Sequence, residues 1–567
     1  MKGVLRLFQT NKIRKVEELE GDWDFQPIKQ SEELPSDFNY RMPVPGCWEM
    51  QPDFLTYRGQ GVFRREIDVP TNTSVRLNFK GISHTADVYF DGKRVAHHYN
   101  AYTPFTAVIP NVKPGKHIIL VRVDNSFHEE SKLHFANDYY TYGGIIRPVG
   151  IEYISDAFIE RIQFTPYKNS NGEWQGNIDV IVSNTGSQNE EIELKGIFEE
   201  ESISFESKRI KPNETVIFSA AKNFPDVKAW SHLDPQLYFL EVQLYKSGQE
   251  SPSDDLIERV GFRTVTTLNG KIQINDEDIV LKGFNRHEDH PMVGAAFPYQ
   301  LMVQDLDLMI HMGANSVRTS HYPNDERFLD LCDERGIFVW EENHARGFLL
   351  SHMQDPKTQQ QCLACNKEMV FNHFNHPSII IWAILNECAS NTLEGKELYR
   401  EQIEQIKEMD QSRPVSFASH HREHELCFDL ADIVSFNLYP LWYTNEDPGE
   451  LAEKARQWAD ELGGLGKPMI MSEFGGDGYY GLRDPNNVRG TEERQAEIIE
   501  KNLAAYTSSP FISGMYIWQF CDCRVVEDTG WLLSRAGTQN SKGIVDRYRR
   551  PKLAAEVVKK YFKIPIT

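Results

Sequence analysis

Two glutamates, Glu387 and Glu473, each follow an apolar run of strand length. The first ends the segment IIIWAILNE, and the second lies in the segment PMIMSEFG. Hydrolysis of a glycosidic bond requires one carboxylic acid that protonates the leaving oxygen and a second carboxylate at the anomeric carbon. Two glutamates in matching strand-end contexts therefore predict a glycosidase.

The segments that carry these glutamates have the composition of strands that are buried on both faces of a parallel sheet. In a (β/α)8 barrel, the C-terminal strand ends build the active site. A helix is predicted from Met302, Leu306, Met309 and Ile310 to an end near Gly313. Eight candidate strands are IVLKGFNRHE, NSVRTSHYP, IFVWEEN, IIIWAILNE, PVSFASHH, IVSFNLYPLWY, PMIMSEFG and MYIWQFCD. Their ends predict a site that gathers His287, Arg318, His321, Asn386, Glu387, Tyr439, Tyr443, Glu473 and Trp518.

Two β regions precede the predicted barrel, so the chain is expected to have three domains. Residues 1–155 are predicted to form a jelly-roll-like β-sandwich that binds sugar, residues 156–265 an immunoglobulin-like β-sandwich, and residues 266–567 the catalytic barrel. The two sandwiches are predicted from apolar residues that alternate with polar ones, namely Val75, Leu77, Phe79, Val88, Phe90, Ile119, Val121, Val123, Ile178, Val180, Val182, Tyr238, Leu240 and Val242.

The first sandwich ends in the aromatic run FANDYYTYGGIIRPV, which includes Asp138. One interpretation of this loop is that it packs against the next domain. The other is that it reaches a neighbouring active site and binds a sugar hydroxyl.

The net charge of -22 argues against a nucleic-acid or anionic-membrane partner. The N-terminal segment MKGVLRLFQTNKIRK lacks the apolar region of a signal peptide, and no apolar run approaches the ~18–20 residues of a membrane span. These features predict a cytoplasmic protein with reduced cysteines. Cys362 and Cys365 form a CxxC without a second pair, and HEDH at 287–290 is better suited to hydrogen bonds with sugar, so neither a metal nor a cofactor is expected.

The segments GFNRHED, SVRTSHYPND, HPSIIIWAILNE and MSEFGGDG, within this order of domains, resemble glycoside hydrolase family 2 over essentially the whole chain. The resemblance implies that Glu387 is the acid/base, that Glu473 is the nucleophile of a two-step retaining hydrolysis, and that Asn386 binds the sugar 2-hydroxyl. The acid/base needs a raised pKa at first, which loss of the nucleophile's charge would then lower. No cofactor is required.

The segment GTQNSKGIVDRYRRPK contains Asn540 and Lys542, which resemble the Asn-x-Lys motif of the β-glucuronidase members of this family. The motif implies an anionic sugar, because charge-assisted hydrogen bonds to a carboxylate are about twice as strong as neutral ones. The resemblance then implies hydrolysis of β-D-glucuronides. The other residues that it assigns to the sugar pocket are Asp138, His287, Tyr439, Tyr443 and Trp518.

The segment after the third strand is shorter than in the enterobacterial-type enzymes and contains His344 and Arg346, so a more open aglycone side is expected. Either a small conjugate or a uronic-acid-capped saccharide is compatible with such an open aglycone side. No role is predicted for Glu341 and Glu342 in the same segment. Three alternatives remain open: a β-galactosidase or β-galacturonidase of the same family, an exo-acting enzyme on uronic-acid polysaccharides, and a non-catalytic carbohydrate-binding protein. The sequence also leaves a homo-oligomer open.

Overall fold

The computed structural model describes residues 10–29, 33–527 and 530–563. The first nine residues of the segment MKGVLRLFQTNKIRK lie outside this part of the chain. No helix in the described ranges combines the length and the apolar character that a membrane crossing requires. All eight cysteines are buried free thiols.

The N-terminal region is a β-sandwich of antiparallel strands. In chain order the strands are β1 (Lys15–Glu18), β2 (Gly21–Ile28), β3 (Tyr40–Val44), β4 (Gln60–Val69), β5 (Thr73–Phe79), β6 (Ile82–Ser83), β7 (Thr85–Phe90), β8 (Lys93–Tyr99), β9 (Phe105–Val112), β10 (Gly115–Asp124), β11 (Gly144–Ile145) and β12 (Val149–Ile154). One sheet has the order β1-β12-β5-β9 and the other the order β3-β2-β4-β10-β7-β8. Val75, Leu77 and Phe79 are fully buried between them, as their alternation predicts.

The second region is an immunoglobulin-like sandwich. Its strands are β13 (Ala157–Lys168), β14 (Trp174–Asn184), β15 (Glu190–Phe198), β16 (Glu201–Ser204), β17 (Lys208–Ile210), β18 (Glu214–Asn223), β19 (Tyr238–Lys246) and β20 (Asp254–Val260). The sheets are β13-β14-β18 and β16-β15-β19-β20, and β17 pairs with β15. Ile178, Val180 and Val182 are fully buried.

A small antiparallel sheet leads into the barrel. It consists of β21 (Val265–Leu268), β22 (Lys271–Ile274) and β23 (Glu277–Ile279). Ile272 and Ile274 share an apolar cluster with Trp340 of the barrel and with Trp230 of the second sandwich. We therefore propose that the domain boundaries lie between β12 and β13 and just before β21.

The C-terminal region is a barrel of eight parallel strands within the described chain. They are β24 (Leu281–Asn285), β25 (Ser316–Thr319), β26 (Phe338–Glu342), β27 (Ile379–Ile384), β28 (Val415–Phe417), β29 (Val434–Asn437), β30 (Met469–Phe474) and β31 (Ile512–Ile517). Their order is β28-β27-β26-β25-β24-β31-β30-β29, and a parallel bridge between Ser419 and Phe436 joins the two ends. Each of the eight predicted strands is present, so the predicted barrel is confirmed.

Helices surround these strands. They are α1 (Tyr299–His311), α2 (Glu326–Arg335), α3 (Leu350–Met353), α4 (Pro356–His373), α5 (Leu393–Met409), α6 (Pro448–Ala459), α7 (Glu492–Thr507) and α8 (Ala554–Phe562). In α1, Met302, Leu306 and Met309 are buried as predicted. Ile310 is 38% exposed, so its assignment to the buried face was wrong. Its position in the helical turn lies at the edge of that face. A short antiparallel pair, β32 (Cys523–Arg524) and β33 (Gln539–Asn540), follows the last barrel strand.

Candidate active site

A cavity of about 420 Å³ opens at the C-terminal ends of the barrel strands. The predicted site residues that line it are Asp138, His321, Glu387, Tyr439, Tyr443, Glu473, Trp518 and Lys542. Other lining residues are Arg346, His420, Arg422, Asn437, Leu438, Thr444 and Arg535. A larger crevice of about 650 Å³ lies between the three domains, but its described lining includes none of the strand-end residues.

Glu473 lies at the end of β30 and is almost fully buried. Tyr439 donates a hydrogen bond to its Oε2 at 2.6 Å, and Arg318 donates one to its Oε1 at 2.9 Å. Burial and the negative charge of Glu387 raise the pKa of Glu473 to about 7, although Arg318 and Tyr439 act in the opposite direction. The two carboxyls are therefore close enough to affect each other's ionisation.

Glu387 follows β27 after a sharp turn of the backbone, in which Leu385 and Glu387 have φ angles of 46° and 52°. Left-handed backbone at residues other than glycine costs about 1–3 kcal/mol and concentrates at functional sites. The Glu387 side chain is 22% exposed, so it lies nearer the mouth of the cavity than Glu473. Asn437 donates to its Oε1 at 2.9 Å, and Arg346 Nη2 lies 3.9 Å from its Oε2.

Asn386 is fully buried and links the surroundings of the two glutamates. Its Oδ1 accepts hydrogen bonds from Arg318 at 2.7 Å and from Asn437 at 3.1 Å. These donors fix the orientation of the amide. Its buried Nδ2 has no hydrogen-bond partner among the described residues, so a donor is available for a ligand.

The structure gives positions to the two glutamates that the sequence left without a role. Glu342 accepts two hydrogen bonds from Arg318, at 2.9 and 2.7 Å, and contacts His321 Nδ1 at 2.7 Å. Glu341 lies 2.8 Å from His373 Nδ1. Glu342 therefore orients Arg318 beneath Glu473.

A second charged cluster lies across the cavity. Lys542 is 1% exposed, and its Nζ lies 3.2 Å from Asp477 Oδ1. Arg535 forms two hydrogen bonds with Asp138, one of them at 2.9 Å. Asn540 donates one N–H to Asp138 Oδ2 at 2.8 Å. It is fully buried and is not among the described residues that line the cavity.

His287 is also outside the described lining of the cavity, and its ring packs edge-on against Trp518 at 5.4 Å between centroids. Its Nδ1 lies 3.2 Å from Tyr322 Oη. In the rest of the HEDH segment, Glu288 pairs with Arg147 and Asp289 with Arg547. These acidic side chains hold the barrel to neighbouring segments.

One group of potential metal ligands lies elsewhere in the described chain and consists of Asp330, Asp333 and His376. His376 Nδ1 contacts Asp333 at 2.6 Å, and Arg259 pairs with Asp330 at 3.0 Å. These contacts give the group a structural role at the junction with the second sandwich.

Three buried histidines connect the first sandwich to the barrel. The ring centroids of His84 and His134 lie 4.4 Å apart, and those of His134 and His344 lie 4.3 Å apart. Burial lowers the pKa of His84 and His344 to about 3, and it also lowers the pKa of His134. All three are therefore neutral at pH 7. His344, which the sequence left unassigned, belongs to this interface.

We expect the protein to lose stability steeply as the pH falls below 6.5. The unfolded chain binds protons at these three histidines from their ordinary pKa downward, whereas the folded chain excludes them well below it, to about pH 3 at His84 and His344. Three protons correspond to roughly 4 kcal/mol of unfolding free energy per pH unit. The melting temperature, measured by circular dichroism from pH 8 to pH 5, checks this. Replacing His424, which has an exposed side chain, with glutamine should leave the slope unchanged. A flat wild-type profile would contradict the expectation.

A parallel barrel that brings two strand-end glutamates into one cavity, beside amide and cationic side chains, is typical of a glycoside hydrolase. Family models support this class along the chain: the sugar binding domain of glycosyl hydrolases family 2 matches residues 16–153, the family 2 central domain residues 157–263, and the family 2 TIM barrel domain residues 265–565. The chain belongs to glycoside hydrolase family 2 and is a glycosidase.

Several relatives match over nearly their whole length. A β-galacturonidase from Eisenbergiella tayi, solved with bound galacturonate, is 44% identical and has a TM-score of 0.95, with 99% of this chain and 100% of that chain covered. A β-glucuronidase from Streptococcus agalactiae is 26% identical, with 98% and 97% covered. The β-D-glucuronidase structure from Dictyoglomus thermophilum is 26% identical and has a TM-score of 0.83, with 98% of each chain covered.

Proposed function

We propose that this chain hydrolyses β-D-hexuronides from the non-reducing end with retention of anomeric configuration. Glu473 attacks the anomeric carbon through a carboxylate oxygen, while Glu387 gives its proton to the leaving glycosidic oxygen. Glu387 then takes a proton from the water that cleaves the glycosyl ester, which releases the uronic acid and restores both carboxyls. The deeper burial of Glu473 and the position of Glu387 near the mouth support this assignment.

The shared hydrogen-bond network supports retention. Arg318 bonds to both Glu473 and Asn386, and Asn437 bonds to both Glu387 and Asn386. Hydrogen bonds through Arg318, Asn386 and Asn437 thus link the two carboxyls, which is consistent with the separation of ~5–5.5 Å in a retaining enzyme. The unpaired Nδ2 of Asn386 supports its predicted bond to the sugar 2-hydroxyl.

The hydrogen bonds to the two glutamates are consistent with these roles. Arg318 and Tyr439 donate to Glu473 and not to Glu387, and they stabilise the carboxylate form of Glu473, which is the form that attacks the anomeric carbon. Burial and the charge of Glu387 act in the opposite direction on its pKa.

Recognition of a uronate depends on one observation above the others, namely the buried ammonium of Lys542 in the cavity wall. The ammonium pairs with Asp477 but has three N–H donors, so it can also donate to a sugar carboxylate, whereas a neutral hydroxymethyl group gains less from it. Arg535 provides a second cation in the same wall. We assign the sugar carboxylate to Lys542 and Arg535, and a sugar hydroxyl to the remaining acceptor capacity of Asp138.

Galacturonate and glucuronate differ only in the configuration at C4. The β-galacturonidase relative, at 44% identity, favours a β-D-galacturonide as the substrate. The β-glucuronidase relatives, at 26% identity, make a β-D-glucuronide the second candidate. Tyr443 at the mouth is 61% exposed, which fits either a small aglycone or a uronic-acid-capped saccharide.

The deciding experiment compares kcat/KM on the 4-nitrophenyl β-D-galacturonide, β-D-glucuronide and β-D-galactoside. We expect galacturonide to be preferred and the neutral galactoside to be the poorest substrate. The anomer released first, observed by proton NMR, should be β. A preference for the galactoside would overturn uronate recognition, and an initial α product would overturn retention.

Replacing Tyr439 with phenylalanine should raise the pH at which activity is lost on the acidic side. The hydroxyl donates to Glu473 and lowers its pKa, so its removal raises that pKa and reduces the carboxylate fraction at a given pH. We expect a shift of about one pH unit in the acidic limb of kcat/KM and a loss of about 10–100-fold in kcat.

The matched control is Tyr506→Phe, because the buried Tyr506 hydroxyl has no hydrogen-bond partner among the described residues and lies outside the cavity. An acidic limb at the same pH in Tyr439→Phe and in the wild type would remove Tyr439 from this role.

A further inference from the structure

A buried ion pair lies directly behind the loop that carries Lys542. Asp522 and Lys552 are both fully buried, and Lys552 Nζ lies 2.7 Å from Asp522 Oδ1. Asp522 follows the last barrel strand, and Lys552 precedes α8. Neither belongs to the described lining of the cavity. Any effect of the pair on a substrate is therefore transmitted through another residue.

The pair contacts the loop on both sides of Lys542. Asp522 Oδ1 accepts a hydrogen bond from the backbone N–H of Gly543 at 2.8 Å. Lys552 Nζ donates to the carbonyl oxygen of Ser541 at 3.0 Å. Gln539 donates to Asp522 Oδ2 and to Ser541 Oγ, each at 3.1 Å. The backbone before and after Lys542 is thus bound to the two charges.

The loop is also bound to the segments that follow β30 and β31. Gln519, next to Trp518, donates its backbone N–H to the carbonyl oxygen of Lys542 at 3.1 Å. Gly478, next to Asp477, donates its N–H to the carbonyl oxygen of Ser541 at 3.0 Å. The ion pair and these bonds together fix the backbone position of Lys542.

The pair is not explained by stability alone. Burial raises the pKa of Asp522 to about 7 even though Lys552 lies beside it, so desolvation of the carboxylate outweighs the attraction of its partner. Well-packed apolar residues in place of a buried ion pair are often neutral or stabilising. The presence of both charges is consistent with a role of the pair in forming directed hydrogen bonds to the loop.

We propose that Asp522 and Lys552 are positioning residues that hold the Lys542 loop in the geometry needed to bind the substrate carboxylate. This inference rests on the proposed function, in which Lys542 binds that carboxylate. Loss of the pair should therefore weaken uronate binding more than it slows the bond-breaking step. A displacement of about 1 Å in a positioned group is enough for a loss of about 100-fold.

The test is the double variant Asp522→Ala/Lys552→Met, which leaves no unpaired buried charge. We expect a folded protein with KM for the preferred 4-nitrophenyl uronide, and Ki for the free uronic acid, raised about 10–100-fold. The change in kcat should stay within about threefold. The matched control is Asp410→Ala/Arg413→Met, which removes another buried pair, outside the described cavity lining. A similar rise of KM in this control would reveal a general structural effect and overturn the proposal.

Two further variants keep the test decisive. If the double variant does not fold, Gln539→Ala removes the bridge between Asp522 and Ser541 and should raise KM and Ki about threefold or more. Unchanged values would overturn the inference. Lys542→Ala is measured in parallel: if it leaves KM and Ki unchanged, the proposed function fails. If it raises both while the double variant keeps wild-type values, only the positioning role fails.

Discussion

Replacing Glu473 with glutamine is expected to lower kcat on any uronide by at least about 10⁴-fold, because the amide is a poor nucleophile and the glycosyl ester is not formed. Steady-state kinetics with the 4-nitrophenyl uronide measure the loss. The matched control is Glu425→Gln, since Glu425 is a buried glutamate bonded to Ser390 and Ser419 outside the cavity. Activity within about tenfold of wild type in Glu473→Gln would remove it as the nucleophile.

Rescue by azide separates the roles of the two glutamates. In Glu473→Gly, azide can occupy the vacated space and attack the anomeric carbon from that side, which gives the α-glycosyl azide. In Glu387→Ala, azide replaces the water of the second step and gives the β-glycosyl azide. Proton NMR distinguishes the two products. An exchange of the two outcomes would reverse the assignment of nucleophile and acid/base.

The same Glu473→Gln change should stabilise the fold at alkaline pH. The pKa of Glu473 is raised from 4.5 to about 7 in the folded protein, so its favourable contribution is complete below pH 4.5 and is lost as the pH rises through 7. The neutral amide avoids this loss, which corresponds to roughly 3 kcal/mol. The melting temperature of the variant relative to wild type should therefore increase from pH 5 to pH 8.

Replacing Lys542 with alanine is expected to lower kcat/KM on the preferred uronide by about 10²–10³-fold. The variant loses a charge-assisted hydrogen bond and leaves the substrate carboxylate buried beside Asp477. The neutral galactoside should lose less than about tenfold, so the preference for uronides collapses. Lys501→Met serves as the control, because Lys501 pairs with Glu497 on the surface of α7. Equal losses on the charged and the neutral substrate would contradict carboxylate recognition by Lys542.

The sequence was most informative where burial and chemistry coincide. The apolar runs before Glu387 and Glu473 predict buried parallel strands, and the structure places both residues at the C-terminal ends of β27 and β30 in one cavity. Alternation predicts strands well because each residue's environment repeats along the same element. The order of the three domains and the eight barrel strands follow from this local regularity.

The contacts between distant loops could not be predicted in the same way. Arg535 lies in a turn-like segment, and its partner Asp138 belongs to another domain. Asn540, which is predicted to bind the sugar, donates to the same Asp138 carboxylate. No periodic pattern reports such pairings, because they depend on how the domains dock. Asn437 ends its strand in IVSFNLYPLWY, as the predicted site residues do in theirs, but it was not predicted as a site residue.

The ion pair between Asp138 and Arg535 constrains how this architecture can diversify. The carboxylate comes from the first sandwich and the guanidinium from the barrel, so each domain supplies one residue of the proposed sugar pocket. A first sandwich transferred from a relative must bring an acceptor that matches Arg535, or Arg535 loses its partner. We therefore expect recombination at the domain boundary to change the proposed sugar contacts while the two glutamates remain in place.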